Sequence, residues 1–248
     1  MKKGKLVIIP TYNEQENILD MVHAVMNLEG DFELLVIDDN SPDGTALIVT
    51  KLQNAFPERL HLLQRKGKLG LGTAYIAGFK YSIEKGYQYV FEMDADFSHN
   101  PSDLVKLHKA CAEDGFDMAI GSRYITGVNV VNWPMGRVLM SFFASKYVQF
   151  ITGLPIKDTT AGFKCYSINV LKAMNLDKIK FIGYAFQIEM KFTAWKLGFK
   201  IIEVPIIFTD RTKGTSKMSR GIFKEAILGV LYMKIRSFFK TYKPVNQT

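Results

Sequence analysis

The sequence predicts an α/β protein with a mostly parallel central sheet flanked by helices, and three observations support this class. Short apolar runs rich in β-branched residues alternate four times with helix-length segments, and the connections between them are short. A polar loop follows each of these runs, at the strand ends where parallel sheets bind their ligands. The 248 residues, of which 48% are hydrophobic, suffice for one substantial core.

Four strand–helix units are predicted in the first half of the chain. The predicted strands cover residues 6–9, 33–37, 61–63 and 89–93. Helices are expected after Asn13, over 45–56, up to Lys85 and over 104–112. In the second half we predict strands at 118–120 and 201–208, a long loop at 125–136, and helices at 137–152, 169–174, within 181–197 and at 222–240.

Two carboxylates, Asp94 and Asp96, follow the apolar run at 89–93. On a regular strand, residues two apart point to the same face of the sheet. Two buried acids on one face are costly unless a cation binds between them, and a hard divalent cation that also holds phosphate oxygens would fit. Two solvated turn residues would give the same pattern, so the pair alone does not decide.

Four polar loops are expected at one edge of the sheet. They span residues 10–14, 38–43, 66–72 and 94–99. The glycines of the third loop follow the order G-x-x-G-x-G and do not come after the first strand, which argues against a nicotinamide-binding site. His99 is interpreted as structural. The basic residues Arg211, Lys213 and Lys217 either form a solvated rim or bring a phosphate group to the acids.

The net charge of +8 is concentrated near the C-terminus, where nine Lys/Arg and one acid follow residue 210. This favours an anionic partner there, and because no nucleic-acid motif accompanies the charge, we expect a membrane surface or a phosphate ligand. The two cysteines have no metal-ligand spacing and indicate a reducing compartment with packing roles. No signal peptide and no apolar run of membrane-spanning length is found, so membrane contact is expected to be peripheral or through a partner.

Two helices are candidates for contact with a partner. In 137–152, Ser141, Ser145 and Gln149 form a polar stripe on an otherwise apolar helix, which could be buried, dimeric or laid against lipid. In 222–240, apolar residues recur every four positions, with Arg236 and Lys240 on the other side. The separation is imperfect, because Lys224 and Lys234 fall on the apolar side. An interfacial membrane helix fits that composition, as does docking on a partner protein or on the core. The apolar set is Phe223, Ile227, Leu231, Ile235 and Phe239.

Several segments together resemble the family 2 glycosyltransferases of the GT-A fold. They are IIPTYNEQENI (8–18), VIDDNSPDGT (36–45), GLGTAYIAGF (70–79), MDADFSHNP (93–101), GSRY (121–124) and TAGF (160–163). Two further segments, VNWP…R (131–137) and DRTKGTSK (210–217), resemble the dolichol- or polyprenol-phosphate mannosyltransferases within that family. The resemblance covers about residues 5–220. It implies that residues 1–220 are the catalytic domain and that 221–248 are a basic amphipathic helix and tail.

The resemblance also implies roles for individual residues. Asp94 and Asp96 would bind Mg²⁺ or Mn²⁺ against the donor diphosphate, with Ser98 close by. The residues implied in binding the donor nucleotide are Pro10, Tyr12, Glu14, Asp38, Asp39 and Gly70. Those implied in receiving the acceptor phosphate are Arg123, Arg137, Arg211 and Lys217.

The implied reaction is inverting transfer of mannose from GDP-mannose to polyprenyl (dolichyl-type) phosphate, giving polyprenyl phosphate mannose and GDP. The implied setting is the cytoplasmic face of a membrane, with peripheral attachment and a possible membrane subunit, and without nucleic acid. Three alternatives stay open: a donor such as UDP-glucose, a non-catalytic subunit that binds a nucleotide sugar, and a nucleic-acid-binding protein that uses the basic C-terminal segment.

Overall fold

The protein is described by a computed structural model that covers residues 3–211, 213, 221–239 and 241–245. The strands in chain order are β1 Lys3–Thr11, β2 Phe32–Asp38, β3 Leu60–Gln64, β4 Tyr87–Glu92, β5 Met118–Ser122, β6 Val130–Val131, β7 Lys164–Ser167, β8 Ile201–Pro205 and β9 Phe208–Thr209. The helices are α1 Gln15–Met26, α2 Thr45–Leu52, α3 Leu71–Lys85, α4 Asp103–Ala112, α5 Met135–Thr152, α6 Ile168–Ala173, α7 Ala185–Lys196 and α8 Gly221–Phe239, with a 3₁₀ turn at Leu176–Lys178.

Seven strands form one sheet in the order β3-β2-β1-β4-β7-β5-β8, and β6 pairs with β9 in a separate two-stranded sheet. The strands of the large sheet run parallel except β7, which is antiparallel to both β4 and β5. The predicted α/β class with a mostly parallel sheet is confirmed.

The strand register brings the carboxyl ends of the first strands to one edge. Thr11 pairs with Asp38, and Asp38 pairs with Gln64. On the other side of β1, Ile8 pairs with Glu92, the last residue of β4. The loops after β1, β2, β3 and β4 therefore start side by side, as predicted from the alternating pattern.

Side-chain alternation along the strands divides the core between the two faces of the sheet. Val7 and Ile9 of β1 pack with α1, α2 and α4, whereas Leu6 and Ile8 pack with α3, α6 and α7. Helix α1 buries the predicted apolar face, whose members are Ile18, Met21, Val22, Val25 and Met26. Helix α2 is shorter than the predicted 45–56, because the chain turns at 53–59 around Pro57 and Glu58, whose φ is +66°.

Two predictions about strands are wrong. The predicted strand 201–208 is two strands, because the chain changes partner: Ile206 N–H still donates to Ser122 O, but Phe208 N–H donates to Asn129 O, beyond the end of β5. The same pairing means that the predicted loop 125–136 contains β6 and the start of α5.

The second error concerns the acids after β4. Strand β4 ends at Glu92, so Asp94 and Asp96 lie in a loop, and the expectation that they share one face of a strand does not hold. The main chain makes one more sheet bond, from Met93 N–H to Ile8 O, and then turns through Phe97, whose φ is +57°.

Helices α5 and α8 form a further layer on α7. Their buried contacts with α7 come from Val148, Ile188, Phe192, Val230 and Met233. The polar stripe of α5 points inward: Ser145 is 1% exposed, and Gln149 Nε2 donates to Ile156 O at 2.6 Å. On the other side of the helix, Phe143 and Phe150 are 62% and 87% exposed.

The C-terminal helix is confirmed, but α8 docks on the protein through Val230 and Met233. The apolar set predicted from the spacing faces outward in its described members, which are Ile227, Leu231, Ile235 and Phe239. The side chain of Phe223 lies outside the described part of the chain. Among the helices that the structure describes, none is long and apolar enough to cross a membrane.

Candidate active site

The loop after β4 holds two carboxylates in a partly desolvated position. Asp96 is 6% exposed and Ser98 is 3% exposed. The backbone N–H of Ser98 donates to Asp96 Oδ1 at 3.1 Å, which fixes the Asp96 side chain to its own loop. Burial, followed by repulsion from Asp96, raises the pKa of Asp94 to about 7, against the opposing charge of Arg211. The two acids therefore need positive charge nearby.

A cation already lies against this pair. The Arg211 guanidinium is 2.7 Å from Asp96 Oδ2, which shows that the position can hold positive charge. Within the described residues, no group of three or more His, Cys, Asp or Glu is arranged to bind a metal. Mg²⁺ and Mn²⁺ in phosphate-binding sites are commonly held by one or two carboxylates plus phosphate oxygens. Asp94 and Asp96 therefore fit a divalent cation that binds together with a diphosphate.

A small sheet joins this loop to the basic residues. Strand β9 pairs with β6, and the N–H of Thr209 donates to Ser98 O at 3.2 Å. The N–H of Asp210 then donates to Val131 O at 3.0 Å. Three segments that are distant in sequence thus form one framework, and Arg211 is held beside Asp96 because of it.

Arg123, just after β5, is buried in a bidentate ion pair. Its Nε and Nη2 donate to Asp158 at 2.7 and 2.6 Å, and Nη2 also donates to Thr160 at 2.8 Å. Burial alone would lower the pKa of Arg123 and raise that of Asp158. The ion pair outweighs burial, so the pKa of Arg123 is raised and that of Asp158 is lowered. Both groups are therefore charged at neutral pH.

Arg137, in the first turn of α5, is only half-buried. Its Nη1 donates to both carboxylate oxygens of Asp210 at 2.9 Å, so the residue before Arg211 holds a second arginine. Its guanidinium also stacks on Trp133. Lys217, the fourth basic residue predicted for the site, lies outside the described residues.

His99 is buried among aromatic rings. It stacks on Phe163 at 4.9 Å and meets the edge of Phe208 at 5.2 Å. Burial lowers its pKa to about 4, so the ring is neutral at pH 7. This environment fits the structural interpretation of His99.

On the donor side of the edge, the two predicted acids are bound by neighbouring groups. Asp38 is fully buried and accepts hydrogen bonds from the hydroxyls of Thr11 (2.8 Å) and Ser41 (2.5 Å). Asp39 accepts the N–H of Leu69 at 3.1 Å and pairs with the Arg65 guanidinium at 2.5 Å. These acids hold the loops together in the structure, so contact with a ligand would use their remaining lone pairs.

The other predicted donor residues lie next to these acids. Pro10 is near the end of β1, and Tyr12 and Glu14 are in the following turn, where the Glu14 N–H donates to Thr45 Oγ1 at 3.0 Å. Gly70 precedes α3 with φ +98°, a conformation that L side chains rarely adopt, and its carbonyl accepts a bond from Arg65 Nη2 at 3.2 Å.

The structure therefore brings the predicted residues into two adjoining groups. The donor group follows β1, β2 and β3, and the Asp94/Asp96 loop lies beside it after β4. Arg211 contacts that loop directly, while Arg137 is joined to it through Asp210. Arg123 is paired with Asp158 instead, and its charge influences His99 of the Asp94/Asp96 loop.

Comparison with known proteins identifies the family. Residues 6–174 match the family described as glycosyl transferase family 2. A polyprenol monophosphomannose synthase from Mycolicibacterium smegmatis is 45% identical over 231 residues, covering 93% of this chain and 87% of the relative. The chain belongs to glycosyl transferase family 2. A second relative, an undecaprenyl-phosphate mannosyltransferase from Micrococcus luteus, is 43% identical over 225 residues, covering 91% of each chain.

Solved structures share the fold of this family 2 chain. Glucosyl-3-phosphoglycerate synthase from Mycobacterium tuberculosis, in complex with Mn²⁺, UDP and glucosyl-3-phosphoglycerate, has a TM-score of 0.65 at 16% identity, covering 94% of this chain and 80% of that one. A mannosyltransferase from Pyrobaculum calidifontis, in complex with GDP-Man and Mn²⁺, has a TM-score of 0.60 at 16% identity, covering 98% and 66%. The predicted GT-A fold is thereby confirmed.

Sequence reasoning missed several residues that support this family 2 site. Arg65 links Asp39 to Gly70 at the start of α3. The only feature of the sequence that could have indicated this role is the position of a basic residue directly after β3. Beneath the Asp94 loop, the fully buried Lys164 and Glu92 form an ion pair at 2.8 Å. Tyr166 donates to the other oxygen of Glu92 at 2.6 Å. The sequence signal for the pair of Glu92 and Lys164 was a charged residue beside the apolar residues of each strand, β4 and β7.

Proposed function

We propose that the protein transfers mannose from GDP-mannose to a polyprenyl phosphate, with inversion at the anomeric carbon. The observation that supports this best is the contact between Arg211 and Asp96, because it places a guanidinium that could bind phosphate beside a carboxylate that could bind a metal. The names of the two curated relatives, which both refer to mannose and a polyprenyl phosphate carrier, favour the same acceptor and sugar.

The donor would bind along the loops after β1, β2 and β3. The base and ribose would lie along this part of the edge, next to Tyr12, Glu14 and Asp39. Gly70, directly before α3, would lie at the same end of the site. The choice of GDP-mannose is supported by the mannosyltransferase neighbour that was solved with GDP-Man.

Asp94 and Asp96 would hold a divalent cation, Mg²⁺ or Mn²⁺, together with the donor diphosphate. Such an ion would neutralise the charge that develops on the leaving diphosphate. Neighbours of the same fold were solved with Mn²⁺, which supports a metal of this class. Through such a cation, Asp94 and Asp96 would help to hold the diphosphate of the donor.

Arg137 and Arg211 would bind the acceptor phosphate, as would Lys217, while Arg123 would stay paired with Asp158. A phosphate monoester has its second pKa near ~6, so at pH 7 it is already largely ionised and needs no general base. One of its oxygens forms the new bond to the anomeric carbon, while the bond from that carbon to the diphosphate breaks and GDP leaves. Catalysis would then depend on positioning and electrostatics.

The outward faces of α5 and α8 would lie against the membrane that carries the acceptor. They expose large apolar side chains, including Phe143 (62%), Phe150 (87%), Phe238 (72%) and Phe239 (87%). Helix α5 contains no acidic residue, and Lys146 lies on its exposed side. Because Arg137 lies in the first turn of this helix, a lipid phosphate at Arg137 would have its chain beside that apolar face. Residues 1–220 would form the catalytic domain, and 221–248 an attachment helix and tail.

Transfer should be tested with the full chain, polyprenyl phosphate and a panel of sugar nucleotides that includes GDP-mannose and UDP-glucose. We expect mannosyl lipid from GDP-mannose, and no product after EDTA unless Mg²⁺ or Mn²⁺ is restored. Product from UDP-glucose alone would change the donor. Donor binding with no transfer to any acceptor would instead indicate a non-catalytic binding subunit.

Membrane contact is tested separately by flotation with liposomes that contain anionic lipid. Replacing Phe143 and Phe150 by Ser should reduce the bound fraction. The control is Leu47→Ser on α2, which removes a side chain that is 59% exposed elsewhere on the protein. Equal flotation of all three proteins would contradict the membrane face.

A further inference from the structure

Trp133 connects two of the basic residues through its indole ring. The guanidinium carbon of Arg137 lies 4.2 Å from the ring centroid, and that of Arg123 lies 5.6 Å from it. An indole attracts cations over its face, and it does so more strongly than phenylalanine or tyrosine. Trp133 is thus in contact with one buried and one half-buried arginine.

The indole is held firmly on the side of Arg123. The Phe208 ring meets Trp133 at a centroid distance of 5.0 Å, and Arg123 also lies 5.6 Å from the Phe208 ring. Arg123 is fixed in turn by its bidentate pair with Asp158. Phe208 belongs to the small sheet that is bonded to the Asp96 loop. Trp133 therefore packs against two fixed side chains, Phe208 and Arg123.

Arg137 is held much less tightly. Both of its hydrogen bonds to Asp210 come from Nη1, and its side chain is 34% exposed. A guanidinium carries five N–H donors. Within the described part of the chain, Arg137 uses only those of Nη1, so its other donors can meet an anionic ligand. Since an arginine side chain has several rotatable bonds, the stacking on Trp133 restricts which way those donors point.

We propose that Trp133 is the positioning residue of the acceptor site: its indole orients the Arg137 guanidinium so that the free donors meet the phosphate of the incoming lipid. This inference rests on the proposed function, because it assumes that Arg137 binds that phosphate. Trp133 need not touch the phosphate itself. A purely structural role would instead make its loss affect donor and acceptor alike.

The kinetic test compares Trp133→Leu and Trp133→Phe with the parent chain. Loss of the aromatic face should raise the acceptor KM about tenfold in Trp133→Leu, with the smaller ring of Trp133→Phe giving an intermediate value and the donor KM unchanged in both. A matched control is Trp195→Phe on α7, which should leave both constants unchanged. Equal rises in donor and acceptor KM, or no change in either, would overturn the inference.

A fluorescence test does not depend on turnover. The chain contains two tryptophans, so in the Trp195→Phe protein Trp133 is the sole indole emitter. Titration with a short, water-soluble prenyl phosphate should change its emission saturably, whereas the matching prenyl alcohol should not. If Trp133→Leu does not fold, Trp133→Phe and this titration decide: an unchanged acceptor KM together with unchanged emission would refute the role of Trp133.

Arg137→Ala separates this inference from the proposed function. If Arg137→Ala raises the acceptor KM and Trp133→Leu does not, the acceptor site stands and the positioning role fails. If Arg137→Ala also leaves the acceptor KM unchanged, the acceptor site itself is misplaced and both proposals fail.

Discussion

The proposed donor and acceptor sides of the site handle charge in different ways. On the donor side, Asp38 and Asp39 are bound by hydroxyls, a backbone N–H and Arg65, all from loops at the same sheet edge. On the acceptor side, three arginines are each paired with a carboxylate. The exposed fraction of their side chains rises from 8% for Arg123 to 25% for Arg211 and 34% for Arg137.

This difference indicates which groups form the scaffold and which exchange partners. A fully desolvated pair such as Arg123 and Asp158 is costly to open, because separation leaves a buried charge uncompensated. The pair of Arg137 and Asp210, whose side chains are 34% and 27% exposed, can trade one anion for another at small cost. Release of Arg211 from the buried Asp96 requires another cation at that carboxylate. We therefore expect the donor loops to be preorganised, and Arg137 and Arg211 to exchange their carboxylate partners for phosphate when substrates bind.

The largest effect is expected from Asp96→Asn, which affects both sides. Removing a ligand of the proposed cation should lower the transfer rate about 1,000-fold, since a bound metal supplies several kcal/mol of transition-state stabilisation. Initial rates at saturating substrates measure this, with Mn²⁺ binding followed by electron paramagnetic resonance. Asp177→Asn, at an exposed position, is the control. A rate within tenfold of the parent protein would remove the metal from the mechanism.

Arg211→Ala should break the acceptor side alone. Loss of a charge-assisted hydrogen bond is expected to lower kcat/KM for polyprenyl phosphate about 100-fold. The donor KM should change much less, because Arg211 lies outside the donor loops and meets the proposed cation site of the donor only through Asp96. Steady-state kinetics with each substrate varied in turn measure both values.

The matched control for Arg211→Ala is Lys213→Ala. Lys213 is a nearby cation that is exposed and pairs with Asp20 of α1 at 3.2 Å, so its loss should change neither constant. If Arg211→Ala impaired the use of donor and acceptor to a similar extent, the proposed division into a donor side and an acceptor side would be wrong.

The smallest effect is expected from Thr73→Val, which perturbs the donor side alone. Thr73 Oγ1 accepts a bond from Arg65 Nη1 at 2.7 Å, so the change removes one support of the arginine that holds Asp39. The loss of about 1 kcal/mol should weaken GDP binding about fivefold and leave the acceptor KM unchanged. Isothermal titration calorimetry measures it.

Thr50→Val on α2 controls for the chemistry of that substitution, because Thr50 also bonds a carbonyl one turn earlier in its own helix. A weaker acceptor affinity in Thr73→Val, with GDP binding intact, would contradict the division between the two sides.

Local sequence patterns predicted the elements that lead to the site. Apolar runs and turn residues located β1 to β4 and the loops after them, because hydrophobic periodicity and turn chemistry are local properties. The same patterns could not show that the chain leaves β8 after Ile206 and pairs with β6, since this depends on which strand end is available in space.

Partners of charged residues were the other property that the sequence did not reveal. Asp158 and Asp210 pair with arginines 35 and 73 residues away, a relation that only the fold creates. The orientation of α8 was also missed: its strongest four-residue apolar spacing marks the outward face, while a shorter set with Val230 and Met233 meets the protein. Spacing identifies an apolar face but does not say what covers it.

The ion pair of Glu92 and Lys164 constrains how this protein can change over generations. Loss of either partner leaves the other charge buried, at a cost of about 3–5 kcal/mol, a large share of the 5–15 kcal/mol that keeps a typical domain folded. Mutation usually alters one codon at a time, and each single step passes through that weakened intermediate. The residues at positions 92 and 164 should therefore be conserved together among related proteins, and a substitution at one should be accompanied by a substitution at the other.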